Sequence, residues 1–532
     1  MTEHVWQPEL DELARRRLLA AEMGGPERIE RQHEAGKLTI RERFEAIADP
    51  GSFEEVGGVA GAARYDEHGQ LASFLPSNFL VGLARIDGRP VLISGDDFTV
   101  RGGSSEATIP AKRGFSEGLA LELALPHIRL VDGMGGGGSV KSMEKARAPL
   151  IPQAKGIDVT AQHLATAPSV ALALGSVAGI GAARVVMSHY SVIVEETAQM
   201  MIAGPALVEQ AGQPAVTKED LGHARVHTTN GAIDDAVPTE ADAYAAARRF
   251  LSYLPRNVYE LAPRAERIDD PERREETLAS IVPRNERRVY KMRQIIDAVV
   301  DREPDAAVEG GTRSSFFEIG RSWGRSIICG LARLDGWPVA MVAEDPYVYG
   351  GAWTADGCQK LIRLLDLAST FHLPVVHLQD CPGFLIGKQA EDDATIRHGS
   401  RALIAMAQMT VPFTAVVIRK AFGVAGAANR RPGSVHPRVA WPSGRWGSLP
   451  VQGGIEVAYR GELSHLQGDD YQQAIAEIRE RYERISSPFR SSDNFSIDDV
   501  IDPRETRPFL CRWVNLVAPT LHPGPAAFSY RC

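Results

Sequence analysis

Four glycine-rich turns carry the chemistry this chain is equipped to do. They read Asp132-Gly-Met-Gly-Gly-Gly-Gly138, Gly175-Ser-Val-Ala-Gly-Ile-Gly181, Asp380-Cys-Pro-Gly-Phe-Leu-Ile-Gly387 and Arg419-Lys-Ala-Phe-Gly-Val-Ala-Gly426. Glycine at a strand end lets the backbone approach a ligand and aim its N–H groups at it, and a helix that follows adds a dipole favouring negative charge. Such donors suit an oxyanion hole, in which a carbonyl is stabilised as it becomes an enolate. Side-chain machinery of comparable strength is missing. Ser139 and His189 lie in no Gly-x-Ser-x-Gly elbow. His372 and His377, five apart around Pro374, read as sheet residues rather than metal ligands, and no metal site is expected. Asp97, Asp132, Asp345 and Asp380 recur at strand ends as carboxylates that cap turn N–H groups. Lys112 and Lys360 could each meet a phosphate or simply lie solvated on a helix.

The elements that must hold these turns are built twice. Residues 80–135 return at 328–383 without a gap, and 21 of the 56 positions are identical. Gly82-Leu-Ala-Arg-Ile-Asp-Gly88 matches Gly330-Leu-Ala-Arg-Leu-Asp-Gly336, and Lys112 falls on Lys360. A period this long marks a duplicated domain rather than a solenoid. Asp87-Gly88 and Asp335-Gly336 predict hairpins. Helices are expected over 109–124 and 355–372, with β runs at 128–131, 170–174, 375–378 and 415–418. Strands alternating with helices imply an α/β fold with crossover connections. The charged, proline-bearing stretch 262–293 places the boundary, giving domains 1–265 and 266–532. Residues 301–313 read as a loop.

Composition sets the outer bounds. A chain of 532 residues exceeds what one core supports, and 44 % hydrophobic with 24 % charged residues is ordinary for a globular protein. A net charge of −9 argues against nucleic acid as partner. Five irregularly spaced cysteines without a Cys-x-x-Cys pair suit reduced thiols, and Met1 to Leu10 lack a signal-peptide pattern, so a cytoplasmic location is expected. The most apolar stretch, 170–186, is interrupted by Gly175, Gly179, Gly181 and Arg184, so no membrane span is expected.

Several runs carry a resemblance. Asp97-Phe-Thr-Val-Arg-Gly-Gly-Ser104, Gly36-Lys-Leu-Thr-Ile-Arg-Glu-Arg43, Asp49-Pro-Gly-Ser-Phe53, Ser252-Tyr-Leu-Pro-Arg-Asn257, Asp380-Cys-Pro-Gly-Phe384, Ala440-Trp-Pro442 and Ile501-Asp-Pro-Arg-Glu-Thr-Arg507 follow one another as in the carboxyltransferase (beta) subunit of biotin-dependent acyl-CoA carboxylases. The chain resembles the propionyl-CoA and methylcrotonyl-CoA members over nearly its whole length. The resemblance implies two tandem crotonase-like (ClpP/crotonase) domains with a ββα superhelix. It further implies a hexameric core, with each active site formed between the N-domain of one protomer and the C-domain of another. The implied activity moves a carboxyl group from carboxybiotin to an acyl-CoA. Gly179 and Ile180 would hold the thioester carbonyl, and Val424 and Ala425 the ureido oxygen of biotin. Gly135, Gly136, Lys112, Phe384 and Gly423 would line the substrate and cofactor sites, and Ala427 stands at the acyl-selecting position. No biotin-attachment sequence is present, since Lys291-Met292 follows Tyr290 in a charged helix, so biotin is expected on a biotin carboxylase/biotin carboxyl carrier subunit.

The chain departs from the family's pattern at its loops. Ile180 and Val424 stand where glycine is usual, and Asp132-Gly-Met-Gly-Gly-Gly-Gly138 replaces an Asp-Ser-Gly-Gly-Ala-Arg loop. A β-branched residue resists positive φ and narrows a pocket. Two alternatives therefore accompany the leading reading: a biotin-dependent decarboxylase of a malonyl-type or glutaconyl-type CoA, and a non-catalytic scaffold with spoiled holes. The small apolar Ala427 points to a bulkier or apolar acyl group.

Overall fold

The computed structural model describes residues 5–104, 109–133, 143–144, 147–149, 151, 156–305, 308, 310–449, 451–527 and 530. The chain divides into two units, Met1–Glu260 with Ser529–Cys532, and Leu261–Phe528. Each is a mixed α/β layer structure around one main sheet.

In the first unit a helix, α1 (Ile40–Ile47), precedes a seven-stranded sheet. Its strands are β1 (Glu54–Glu55), β2 (Phe79–Ile86), β3 (Arg89–Asp96), β4 (His127–Val131), β5 (Ser169–Ala173), β6 (Tyr190–Val194) and β7 (Asp235–Val237), adjacent in that order. The β1–β2–β3 pairs are antiparallel, and every later pair is parallel. Parallel neighbours need crossovers. Between β3 and β4 the chain crosses through α2 (Pro110–Glu122), and between β5 and β6 through α3 (Ile180–Val186). The strands β4 and β5 are buried at every position, as expected of a sheet covered on both faces.

The second unit repeats this plan. Helix α4 (Met292–Val299) leads to β8 (Phe317–Glu318), β9 (Ile327–Leu334), β10 (Trp337–Glu344), α5 (Ala355–Thr370), β11 (Val375–Cys381), β12 (Phe413–Phe422), α6 (Gly423–Gly426), β13 (Arg438–Ala440) and β14 (Asp499–Val500). Strands β8 to β14 are adjacent in that order, and Arg445–Gly447 pairs separately with β12. The core gathers Ile295, Ile296 and Val299 of α4, Met341 of β10, Val376 of β11 and Leu510 with Val514 from Thr506–Val517. Emptying one such position to alanine costs about 2–5 kcal/mol. Residues 301–313, expected as a loop, instead carry two short antiparallel strands, Arg302–Pro304 and Thr312–Ser314, because their backbones satisfy one another.

The hairpins at Asp87-Gly88 and Asp335-Gly336 both take positive φ at their two central residues, 51° and 76° in the first and 49° and 80° in the second. That is a two-residue turn whose twist matches its strands. Each turn is clamped by one carboxylate. Asp49 accepts the N–H groups of Asp87 and Gly88 at 2.9 and 2.8 Å, and Asp301 accepts those of Asp335 and Gly336 at 2.9 and 2.7 Å. Among the described residues no helix is long and apolar enough to cross a membrane.

Candidate functional site

In the first unit the chain leaves β5, passes Gly175 and the short strand Ser176–Ala178, and turns at Gly179 into α3. Gly179 adopts φ 60° and ψ −124°, a conformation side chains resist. Its own N–H donates to Met201 O at 3.1 Å. The free donors therefore begin one residue later, because the first N–H groups of a helix have no partner within it and α3 has no side-chain cap. Ile180 opens the helix with its side chain 48 % exposed, while Gly181 and Ala182 behind it are buried. The β-branched residue is thus spared the strained dihedral, which glycine takes. Ile180 departs from the expected glycine without distorting the turn.

A buried carboxylate sits under this turn. A Cβ on Gly175 would stand 1.9 Å from Asp132 Oδ1, so only glycine permits the approach. Asp132 accepts from Arg43 Nη1 at 2.8 Å, Gln32 Nε2 at 3.1 Å and Lys37 Nζ at 3.2 Å. Arg43 also grips Glu240 through Nη2 at 2.7 Å, and Tyr244 donates to Glu240 at 2.7 Å. Burial opposes the charge on Arg43, yet Asp132 and Glu240 more than reverse it and raise its pKa. The run Gly36 to Arg43 thus has a visible purpose. Thr39 and Glu42 form a capping box that starts α1, and this orients Arg43 toward the sheet. Gly135 and Gly136, further along the loop that Asp132 begins, lie outside the described residues.

The second unit builds a matching turn. Gly423 takes φ 62° after β12, Val424 is 58 % exposed, and Ala425 and Gly426 are buried. No hydrogen bond uses the N–H of Ile180, Gly181, Val424 or Ala425 among the described residues. The strand-end loop after β11 lies alongside, since a Cβ on Gly423 would stand 4.0 Å from Gly383 Cα. Phe384 is half-buried there. Its ring lies against Gly399, where a Cβ would come within 2.2 Å of it, and the flanking backbone pairs with Trp353 through Trp353 N–H to Gly383 O at 3.0 Å. Ala427 is exposed on the same short turn as Val424.

Asp380 repeats the position of Asp132 with other partners. It accepts from Tyr290 Oη at 2.7 Å, Arg419 Nε at 3.2 Å and the Lys420 N–H at 3.1 Å. Burial raises its pKa against the pull of Arg419. Asp97 and Asp345 cap their turns as expected, accepting the N–H groups of Thr99 at 2.9 Å and Tyr347 at 3.0 Å.

Lys112 lies in the first turn of α2. Its buried ammonium donates to Gly57 O at 3.0 Å and lies 3.6 Å from Glu55, while Lys360 donates to Trp323 O at 2.7 Å. Each lysine ties a loop to the helix that carries it. Lys420, by contrast, is half-buried, with Nζ 3.9 Å from where a Cβ on Gly350 would stand, and burial lowers its pKa. Its only signal in the sequence was its place between Arg419 and Ala421.

Comparison with known proteins gives these turns a setting. The sequence pattern of the carboxyl transferase domain family matches residues 31–520. The propionyl-CoA carboxylase carboxyltransferase subunit of Haloferax mediterranei is 32 % identical over 517 residues, covering 94 % of each chain. The methylmalonyl-CoA decarboxylase alpha subunit of Veillonella parvula is 30 % identical over 498 residues, covering 93 % of each. A crystal structure of transcarboxylase 12S, described as a hexamer with methylmalonyl-coenzyme A and methylmalonic acid bound, superposes with a TM-score of 0.85 at 27 % identity over 100 % of this chain and 99 % of that one.

Proposed function

The chain belongs to the carboxyl transferase domain family, and from that premise we propose that its two glycine-started turns divide one reaction between them. The protein is a carboxyltransferase subunit of an acyl-CoA carboxylase, acting on an acyl-CoA thioester with carboxybiotin carried by a partner subunit. The observation that supports the division is the paired geometry. Each unit ends a strand in a glycine near φ 60°, followed by an exposed β-branched residue whose N–H is unused.

In the first unit, the N–H groups of Ile180 and Gly181 hold the thioester oxygen. Their stabilisation grows as that oxygen becomes an enolate, which is the condition for lowering a barrier rather than merely binding substrate. In the second unit, Val424 and Ala425 hold the ureido oxygen of biotin, with Gly423 and Phe384 beside them. This turn fits a small planar acceptor. Its donors are unpaired, and a Cβ on Gly423 would meet nothing closer than Ser448 O at 3.7 Å. Carboxybiotin, when bound, supplies the carboxyl group. Ile180, Gly181, Val424 and Ala425 position the reactants, and no side-chain nucleophile is required.

The exposed, apolar Ala427, three residues after Val424, supports a bulkier or apolar acyl group. The biotin-bearing partner, a hexameric core like that of transcarboxylase 12S and a cytoplasmic location complete the reading. Positive φ on Gly179 and Gly423, rather than on Ile180 and Val424, speaks against a scaffold with spoiled holes. The test is to purify the protein with its native biotinylated partner and follow labelled bicarbonate into a panel of acyl-CoA thioesters of increasing length. Transfer to at least one thioester is expected. Failure with every thioester, together with release of carbon dioxide from a malonyl-type or glutaconyl-type CoA, would replace carboxylation with decarboxylation.

A further inference from the structure

Each of the two turns is fastened from behind by a buried basic side chain, and the two differ in kind. In the first unit Arg129 on β4 donates through Nη1 to the carbonyl of Met187, the residue that caps the C-terminus of α3, at 2.8 Å. Glu117 holds its Nε and Nη2 at 3.1 and 2.8 Å. The same position of the repeat in the second unit is His377 on β11. Its Nδ1 lies 3.0 Å from Ala428 O, just beyond α6, and its Nε2 lies 2.8 Å from Glu344 Oε1. Two residues along the strand, on the same face, Gln379 donates to Gly426 O at 3.0 Å. The carbonyl end of each turn is thereby anchored, which leaves the N–H end to face a ligand.

The partners of His377 fix its charge. Ala428 O can only accept. Glu344 already accepts from Trp353 Nε1 at 3.0 Å and from the Asp380 N–H at 2.9 Å, as a carboxylate does. With an acceptor on each side, both ring nitrogens must donate, so the ring is an imidazolium. We infer that the His377–Glu344 ion pair is the positioning device of the Val424–Ala425 hole, and that it lets this hole, but not the one at Ile180, slacken as pH rises. The inference rests on reading Val424 and Ala425 as the biotin-side donors.

Once the proton is lost, one ring donor must serve two buried acceptors. Either the Ala428 carbonyl or Glu344 is then left without its partner. Burial pushes the imidazole pKa down, and Glu344 more than reverses this, so it stands above the ordinary value. A raised folded pKa means that the fastened state is fully present below the ordinary imidazole range and is lost as pH climbs through the raised value. The first unit has an arginine, Arg129, at the position where the second has this histidine. The other charged groups on the surrounding elements are committed elsewhere. Asp380 on β11 holds Tyr290 and Arg419 of β12, Lys360 on α5 holds the Trp323 carbonyl, Arg430 beyond the turn pairs with Asp498, and Arg438 on β13 holds Asn429.

Hydrogen–deuterium exchange on the intact protein, corrected for intrinsic rates, tests this from about pH 6 to about pH 9. Peptides covering 422–430 are expected to lose protection by about tenfold or more above the ordinary imidazole value, while those covering 180–187 hold. Opening of both segments together, or of neither, would overturn the inference. Glu344→Gln is expected to move the midpoint down by about one pH unit or more, and an unmoved midpoint would also overturn it. In the carboxyl-transfer assay, kcat should fall on the same alkaline limb while KM for the acyl-CoA stays level. Turnover without that limb defeats the inference and leaves the functional reading intact. Absence of turnover at every pH defeats the functional reading, while exchange still judges the fastening.

Discussion

Replacing Ile180 by proline would delete one hydrogen atom from the proposed acyl-side hole and change little else. Ile180 is the first residue of α3, where proline's fixed φ fits and its missing N–H breaks no helical bond. The residue before a proline must avoid the α region, and Gly179 at φ 60° and ψ −124° already does. With the side chain 48 % exposed, the change forfeits about half of the roughly 1.5–3 kcal/mol that a fully buried isoleucine contributes. Stiffening the unfolded chain returns about 0.4–1 kcal/mol. The melting temperature should therefore move by no more than about 2–4 °C. The rate should respond differently, because losing one preorganised donor costs about 2.7–4 kcal/mol, or about 10²–10³ in kcat. The assay is labelled-bicarbonate fixation with the biotinylated partner, run beside Ile180→Ala, which keeps the N–H and should stay within about fivefold of the parent. A folded Ile180→Pro protein with the parental kcat would show that the enolate oxygen is held elsewhere.

Three further outcomes follow from the buried contacts. Gly175→Ala drives a methyl group to 1.9 Å from Asp132 Oδ1 and should destabilise the first unit by about 3 kcal/mol or more in urea denaturation. Arg43→Met leaves Asp132 and Glu240 without their shared cation, which should cost about 3–5 kcal/mol. Asp301→Ala frees the N–H groups of Asp335 and Gly336 and should cost about 1–3 kcal/mol by thermal melting of the second unit, with a comparable loss in the first unit for Asp49→Ala.

The strand and helix order of both units was legible because residues 80–135 and 328–383 share one uninterrupted register. The duplication extends further than identity reveals. Helices α1 and α4, Arg41 and Arg293, and the clamps Asp49 and Asp301 correspond in one register, but loops of different length shift that register from the acids Glu55 and Glu318 that pair with the arginines and from the repeat itself. The glycine-rich turns stood out by composition. Which residue in each would carry the positive φ did not, since a Gly-Ile or Gly-Val pair is compatible with strain at either position until the chain path is known. The partners of Lys112 were hidden for the opposite reason: its burial under Gly57 depends on a segment some fifty residues away. Arg129 escaped notice, and His377 was read only as a sheet residue, because a repeat read through identities passes over positions where the two copies differ.

The two buried aspartates also bear on how freely the halves can be recombined. Asp132 is neutralised by groups from the segment that precedes its sheet, whereas Asp380 relies on Tyr290 and on Arg419 from the neighbouring strand. The position corresponding to Arg419 in the first copy is Gly175, where no side chain fits. Exchanging β5 and β12 between the halves would therefore deprive Asp380 of Arg419 in one and crowd an arginine against Asp132 in the other.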